Sequence, residues 1–239
     1  MNKRYKGITI LVALFLLMVC SYYSVKKAYF IKNQNNDKKV ILIDPGHGGM
    51  DGGAVSKNGT VEKDINLSIS LKIKDELIKK GYKVIMTREE DKGLYSDKGK
   101  VRQKKIEDLN NRCKMRKDSN CDIFISIHLN MFPQSNCYGA QVWYSNNDKS
   151  KKLASIIQNN FKLDIDKSNN RLEKPAGKAY KILRNDEGIP SVIVECGFLS
   201  NPQEESKLKT ESYQKTIATT ITKSVDEYFK WWSGVFVKK

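Results

Sequence analysis

Short uncharged runs rich in Ile and Val alternate with longer segments of helical period, and this alternation restricts the possible folds more than any other feature of the chain. Val40–Asp44 reads VILID and stops at Pro45-Gly46, a buried strand followed by a turn. Between Glu62 and Lys80, apolar residues recur at Ile65, Ile69, Ile73, Leu77 and Ile78, with Leu67 and Leu71 beside them. That spacing predicts a helix, stopped by Gly81. Tyr82–Thr87 alternates as a strand, and Val101–Lys117 is a very basic helical segment. Asp122–His128 (DIFISIH) and Tyr138–Ser145 (YGAQVWYS) are further strands, and Lys149–Leu163 is helical. Ala179–Leu183 (AYKIL) and Ser191–Glu195 (SVIVE) read as strands, and a last helix spans about Glu211–Trp231. Strands separated by helices of this length form βαβ units, so the expected fold class is α/β with a mostly parallel sheet. In such sheets, functional sites gather at the carboxyl ends of the strands.

The amino terminus carries a different signal. Residues 7–25 form a 19-residue stretch without charge, close to the roughly 20 residues that cross a hydrocarbon core. Lys3, Arg4 and Lys6 precede it, which keeps residues 1–6 in the cytoplasm. A cleaved signal peptide needs small residues at its cut site, and Met18-Val19-Cys20-Ser21-Tyr22 fits poorly. Val19 also spoils a lipoprotein pattern at Cys20. The expectation is one N-terminal transmembrane helix acting as a single-pass signal anchor, with cleaved secretion as the alternative. The polar, Asn-rich residues 26–38 form a tether, and one exported domain occupies 39–235.

Composition removes several classes. Hydrophobic residues make up 39% of the chain, too many for a disordered one. The 5 Cys are odd in number and include no Cys-x-x-Cys pair, which excludes a disulfide framework and a zinc ribbon. The net charge is +16, of which +10 lies beyond residue 38. The Lys98–Lys117 cluster reads as a solvated basic helix, and export without a recognition motif argues against nucleic acid as partner.

The chain has only 2 His, and both fall at strand ends. His47 follows the first strand in Asp44-Pro45-Gly46-His47-Gly48-Gly49, and His128 ends DIFISIH. Glu195 ends SVIVE, and Glu62 opens the first long helix. Two His and one carboxylate form a common catalytic zinc set with a fourth position for water, and a second carboxylate off the metal can serve as general base. Plainer readings stand beside this one. Glu62 can simply complement the helix dipole, and Glu195 can pair with a cation such as Arg184. The Gly cluster 46–53 lacks the pattern of a phosphate loop.

The motifs IDPGHGGMDGGAV at 43–55, Glu62, SIHLN at 126–130 and SVIVECGFLSNPQEE at 191–205 resemble the zinc-dependent N-acetylmuramoyl-L-alanine amidases, the amidase_3 type. Arg88 and Arg112 also fit that pattern, and the likeness runs from about residue 39 to 230. The resemblance implies a twisted, mostly parallel sheet of about six strands flanked by helices. It implies one zinc ion held by His47, Glu62 and His128, with Glu195 as catalytic acid/base. The amide it cuts joins N-acetylmuramic acid to the L-alanine of the peptidoglycan stem peptide. Asn130 and Arg184 are candidate substrate or supporting contacts. An anchor followed by one catalytic core looks like the sporulation members of the family, which strip stem peptides from spore-cortex glycan before muramic-δ-lactam is made. A vegetative cell-separation amidase and a latent or non-catalytic wall-binding scaffold are the alternatives. Intact His47, Glu62, His128 and Glu195 argue against the scaffold. Placement must come from the anchor, from the substrate or from a localising or activating protein partner.

Overall fold

The computed structural model describes residues 16–26, 38–184 and 188–234. Contacts divide the chain into two units, Met1–Lys38 and Lys39–Lys239. In the first unit residues 16–26 are helical. The remainder of the expected membrane span, and most of the expected tether, lie outside the described residues. No helix among the described residues is long and apolar enough to cross a membrane.

The second unit is an α/β domain around one six-stranded sheet. In chain order its elements are β1 (Val40–Pro45), α1 (Glu62–Lys79), β2 (Lys83–Met86), α2 (Val101–Asp118), β3 (Ile123–Asn130), β4 (Gln141–Tyr144) and α3 (Asp148–Asp164), followed by β5 (Lys174–Pro175), β6 (Ser191–Phe198), α4 (Pro202–Leu208) and α5 (Glu211–Trp232). The strand order is β2-β1-β3-β6-β4-β5. β2, β1, β3 and β6 run parallel, while β4 pairs antiparallel with β6 and carries the two-residue β5 beside it.

Successive side chains in each strand go to opposite faces, which gives the sheet two cores. Ile41 and Ile43 of β1, the odd-numbered isoleucines of β3, and Val192 and Val194 of β6 meet α1, α3 and α5. Leu42, Phe124 and Ile193 face the other way, with Leu109 and Cys113 of α2 packed against them. Each fully buried Ile or Val of this kind contributes about 1.5–3 kcal/mol relative to exposure.

Ala179–Leu183 departs from expectation: Lys181–Leu183 is a 3-10 turn, not a strand. Ile182 and Leu183 are adjacent and both enter the same core, which a tight turn permits and a period of two does not. β6 also continues past Glu195 to Phe198, so Glu195 lies inside the strand instead of at its end. The basic segment of α2 is mostly solvated, but Arg112 and Arg116 turn inward and are buried.

Candidate active site

The first strand delivers His47 through a turn that is clamped by two buried arginines. Arg88 Nε and Arg112 Nη1 both donate to Pro45 O, at 3.0 and 2.8 Å. Arg88 Nη2 donates to Gly46 O and Arg112 Nη2 to His47 O. Arg112 is balanced by Asp44, which also accepts from the Thr87 and Ser126 hydroxyls. The clamp holds His47 at φ 62, a left-handed conformation that His tolerates better than most residues. Gly46 is required for a different reason: a Cβ there would lie 2.3 Å from the His128 ring. A Cβ on Gly53, at φ +71, would meet Glu62 Oε2 at 2.6 Å and His47 Cδ2 at 2.7 Å.

His47, Glu62 and His128 converge, with one ligand atom from each lying within 4.8 Å of the others. Glu62 Oε1 is 3.0 Å from His128 Nδ1 and 3.4 Å from His47 Nε2. Its other oxygen accepts from Ala54 N–H at 2.8 Å, while Leu129 N–H and Asn66 Nδ2 also reach Oε1. Asp51 accepts at His47 Nδ1, 2.9 Å away, and Lys105 bridges to the second oxygen of Asp51. This Asp51–His47 pair fixes the ring so that Nε2 faces Glu62, the arrangement typical of a carboxylate that orients a metal-binding histidine. Asp51 was not singled out from the sequence. Its signal there is a carboxylate four residues after His47 in a Gly-rich turn.

Glu195 is paired in register with His128 across β3 and β6. Its Oε2 is buried with no hydrogen-bond partner among the described residues. Burial pushes its carboxyl up to about 7; His128 and His47 oppose this, and Glu62 adds to it. Glu62 behaves differently. Burial acts to raise it, yet its bonds to His128 and His47 hold it far below the usual carboxylate range. Burial acts to lower His47, but its bonds to Asp51 and Glu62 carry it up to about 9. The same bond, with help from Lys105, depresses Asp51.

A cavity of about 330 Å³ opens beside the cluster on the α2 face, lined among others by His47, His128, Asp51, Lys105 and Tyr180. Asn130 closes β3 and accepts Leu199 N–H through its carbonyl. Arg184 is exposed after the 3-10 turn, with its guanidinium on Lys178 O, and is not part of the cavity lining. Arg184 therefore does not partner Glu195. All five cysteines are free thiols.

A parallel-sheet edge with two imidazoles and a paired carboxylate, next to a carboxylate left without a partner, is the architecture of a hydrolytic α/β enzyme with a donor set fit for a metal. Comparison with known proteins narrows the class. Residues 41–227 match Amidase_3, N-acetylmuramoyl-L-alanine amidase, and the chain belongs to that family. It is 33% identical over 241 residues to a germination-specific N-acetylmuramoyl-L-alanine amidase of Bacillus subtilis (strain 168), covering 96% of this chain and 97% of the relative. The solved CwlD amidase from Clostridioides difficile, in complex with the GerS lipoprotein, is 44% identical with TM-score 0.79, covering 81% of this chain and 100% of that one. A second solved amidase, from Clostridium difficile 630, is 32% identical with TM-score 0.70, covering 81% and 98%. The chain is thus an enzyme of the peptidoglycan amidase class.

Proposed function

We propose that this amidase uses one zinc ion held by His47, Glu62 and His128, with Glu195 as its acid/base. The observation that carries the reading is the buried, partnerless Oε2 of Glu195 beside three converging ligand atoms. The residues fit the ion: two nitrogen donors and one carboxylate oxygen suit a borderline-soft cation. The cradle formed by Gly46 and Gly53 leaves no space for extra side-chain atoms beside the ligands. Zinc bound there supplies Lewis acidity, bringing the pKa of water to about 7 and polarising the lactyl carbonyl.

The chain's own residues do the rest. Asp51 locks the His47 ring, and Ala54 N–H occupies Glu62 Oε2 so that Oε1 is presented to both histidines. Glu195 takes a water proton on its free oxygen and passes it to the alanine nitrogen as the C–N bond breaks. The nitrogen then leaves as a neutral amine instead of an amide anion. Asn130, at the end of β3 and outside the cavity lining, is a candidate substrate or supporting contact. Arg184, outside the cavity lining, is not needed by this scheme.

Glu195→Ala should retain zinc by metal analysis and lose muropeptide hydrolysis. His47→Ala and His128→Ala should lose both. Full activity in Glu195→Ala would end the assignment.

The biological setting we propose is spore-cortex maturation, the step before muramic-δ-lactam forms, supported by likeness to a germination-specific amidase. Normal lactam levels in spores of a deletion strain would exclude it. Residues 7–25 are proposed as a membrane anchor with the catalytic domain outside the cytoplasm, on the strength of their uncharged length. Extraction of the full chain by carbonate or high salt would exclude that. A protein partner is proposed by extension from the relative solved with a lipoprotein.

A further inference from the structure

β1 runs from Lys39 at its entry to His47 just past its end, so the two mark opposite poles of the sheet, about 20 Å apart at the rise of a strand. The entry pole has its own chemistry. A groove of about 530 Å³ is lined there by Lys39, Lys80, Tyr82, Phe229, Lys230 and Trp232. Asp226 is its acidic member, and it is engaged by the Lys80 ammonium and the Tyr82 hydroxyl. Trp232 is 41% exposed at the end of α5. From the start of α3, Lys149 lies over the Trp232 ring at 4.3 Å and Lys152 over the Trp231 ring at 5.5 Å. The sequence beyond α5 continues as Ser-Gly-Val-Phe-Val-Lys-Lys, which repeats the mixture of apolar residues and lysine.

Tryptophan flanked by lysine is the combination that settles at a membrane interface. The ring sits at headgroup depth while the lysine stem lies along apolar surface with its ammonium in the phosphate layer. Two further facts select a lipid surface over another occupant. Lys39 and Lys80 are paired with Asp122 and Asp226, and Lys149, Lys152 and Lys230 make the pole basic, complementary to anionic headgroups. The chain also enters the domain here, at Lys39, directly after the segment that contains the uncharged stretch.

We infer that the pole formed by Trp231, Trp232, Lys39, Lys149, Lys152 and Lys230 is a docking surface for an anionic phospholipid membrane. Docking at this pole turns the His47 edge away from the bilayer, toward the wall. The surface uses only residues of the catalytic domain, while its choice of a lipid occupant rests in part on the anchor proposed above.

The test uses the full chain, whose three Trp all lie in the catalytic domain, so their emission reports on the domain and not on the anchor. The protein is combined with vesicles of phosphatidylcholine alone, or with added phosphatidylglycerol, carrying brominated acyl chains. Flotation reads attachment, and quenching of Trp emission reads contact of the pole. The expected result is quenching in the anionic vesicles, largely removed by Trp232→Ala. The triple variant Lys149→Gln, Lys152→Gln, Lys230→Gln should weaken this docking about a hundredfold, from about fivefold per charge. Its hydrolysis of soluble muropeptides should be unchanged. Flotation without quenching would overturn the surface while leaving the anchor standing. Equal quenching in neutral vesicles, or indifference to the lysine changes, would also overturn it. So would retention on a wall phosphate polymer, or self-association, in place of lipid contact.

Discussion

Replacing Arg112 by Met tests whether the arginine clamp builds the site. Arg112 and Asp44 are 3% and 1% exposed, and their closest atoms are 2.5 Å apart. In Arg112→Met, Asp44 keeps the Ser126 and Thr87 hydroxyls but loses the one cation bonded to it among the described residues. The carbonyls of Pro45 and His47 lose a donor as well. Removing one partner of a buried pair costs about 3–5 kcal/mol because the other charge is stranded. At about 2–4 °C per kcal/mol for a domain of this size, the Tm should fall by about 6–20 °C. Asp44 sits below its ordinary value of 3.8 because Arg112 and the two hydroxyls outweigh the opposing cost of burial. Its stabilising contribution is therefore present above 3.8 and lost as pH falls through its lower folded value. The gap between variant and parent should narrow in strong acid. Thermal melts followed by circular dichroism measure all of this, and adding Asp44→Asn to the variant should recover part of the loss. A Tm within about 2 °C of the parent, a loss below about 1 kcal/mol, would refute the reasoning.

Other parts of the site are equally exposed to test. His47 is raised to about 9 in the metal-free protein, so zinc uptake at neutral pH must displace its proton. Apparent affinity should rise at least about tenfold per pH unit toward 9, with at least about one proton released per zinc by calorimetry in two buffers; a pH-independent affinity from 7 to 9 would contradict this. For stability alone the sign is opposite, since the protonated ring stabilises the metal-free fold below 6.5 and that gain is lost as pH rises through about 9. Gly46→Ala drives a methyl to 2.3 Å from the His128 ring, and should cost about 1–3 kcal/mol with a drop in zinc content. Glu205 accepts from Ser56, Asn58 and Thr60, pinning the loop that ends at Glu62. Glu205→Ala should open residues 54–61 to limited proteolysis, and an unchanged digest would show that the pin is idle.

What the sequence disclosed follows from how locally each feature is encoded. Strands such as VILID and SVIVE are short apolar runs rich in β-branched residues, and α1 carries its period within 18 residues, so all three are legible without tertiary knowledge. Both histidines also stood out, through scarcity and position at strand ends, whereas spacing alone left Glu62 as a helix-dipole partner and only the family resemblance placed it beside them. The short β5 was invisible because Lys174–Pro175 pairs only with β4 and has no apolar pattern of its own. AYKIL was misread because a short apolar run does not show in the sequence whether its adjacent residues enter one core, as in a turn, or opposite faces, as in a strand. The roles of Arg88 and Arg112 were hidden for a different reason. Their partners include backbone carbonyls of Pro45, Gly46 and His47, 42 to 67 residues away in the chain, and a carbonyl leaves no mark in the residue type.

The proposed role of Glu195 as the proton carrier draws on a contrast among four carboxylates around the site. Asp44 is locked by Arg112 and two hydroxyls. Asp51 is engaged by His47 and Lys105, and Glu62 by two histidines, two backbone amides and Asn66. Each of these three is held in its ionised form by donors, so a proton placed on it would break bonds that the fold has already made. Such groups can orient or ligate, but they are poor at exchanging protons. Glu195 alone keeps a buried oxygen without a donor, and burial brings its carboxyl near neutrality, where gaining and losing a proton are almost equally easy. Glu195→Gln sharpens the test. It preserves shape and burial while removing the titrating oxygen, so it should retain zinc and fold yet lose turnover. Filling the orphan position without loss of turnover would move the proton-carrying role to another group.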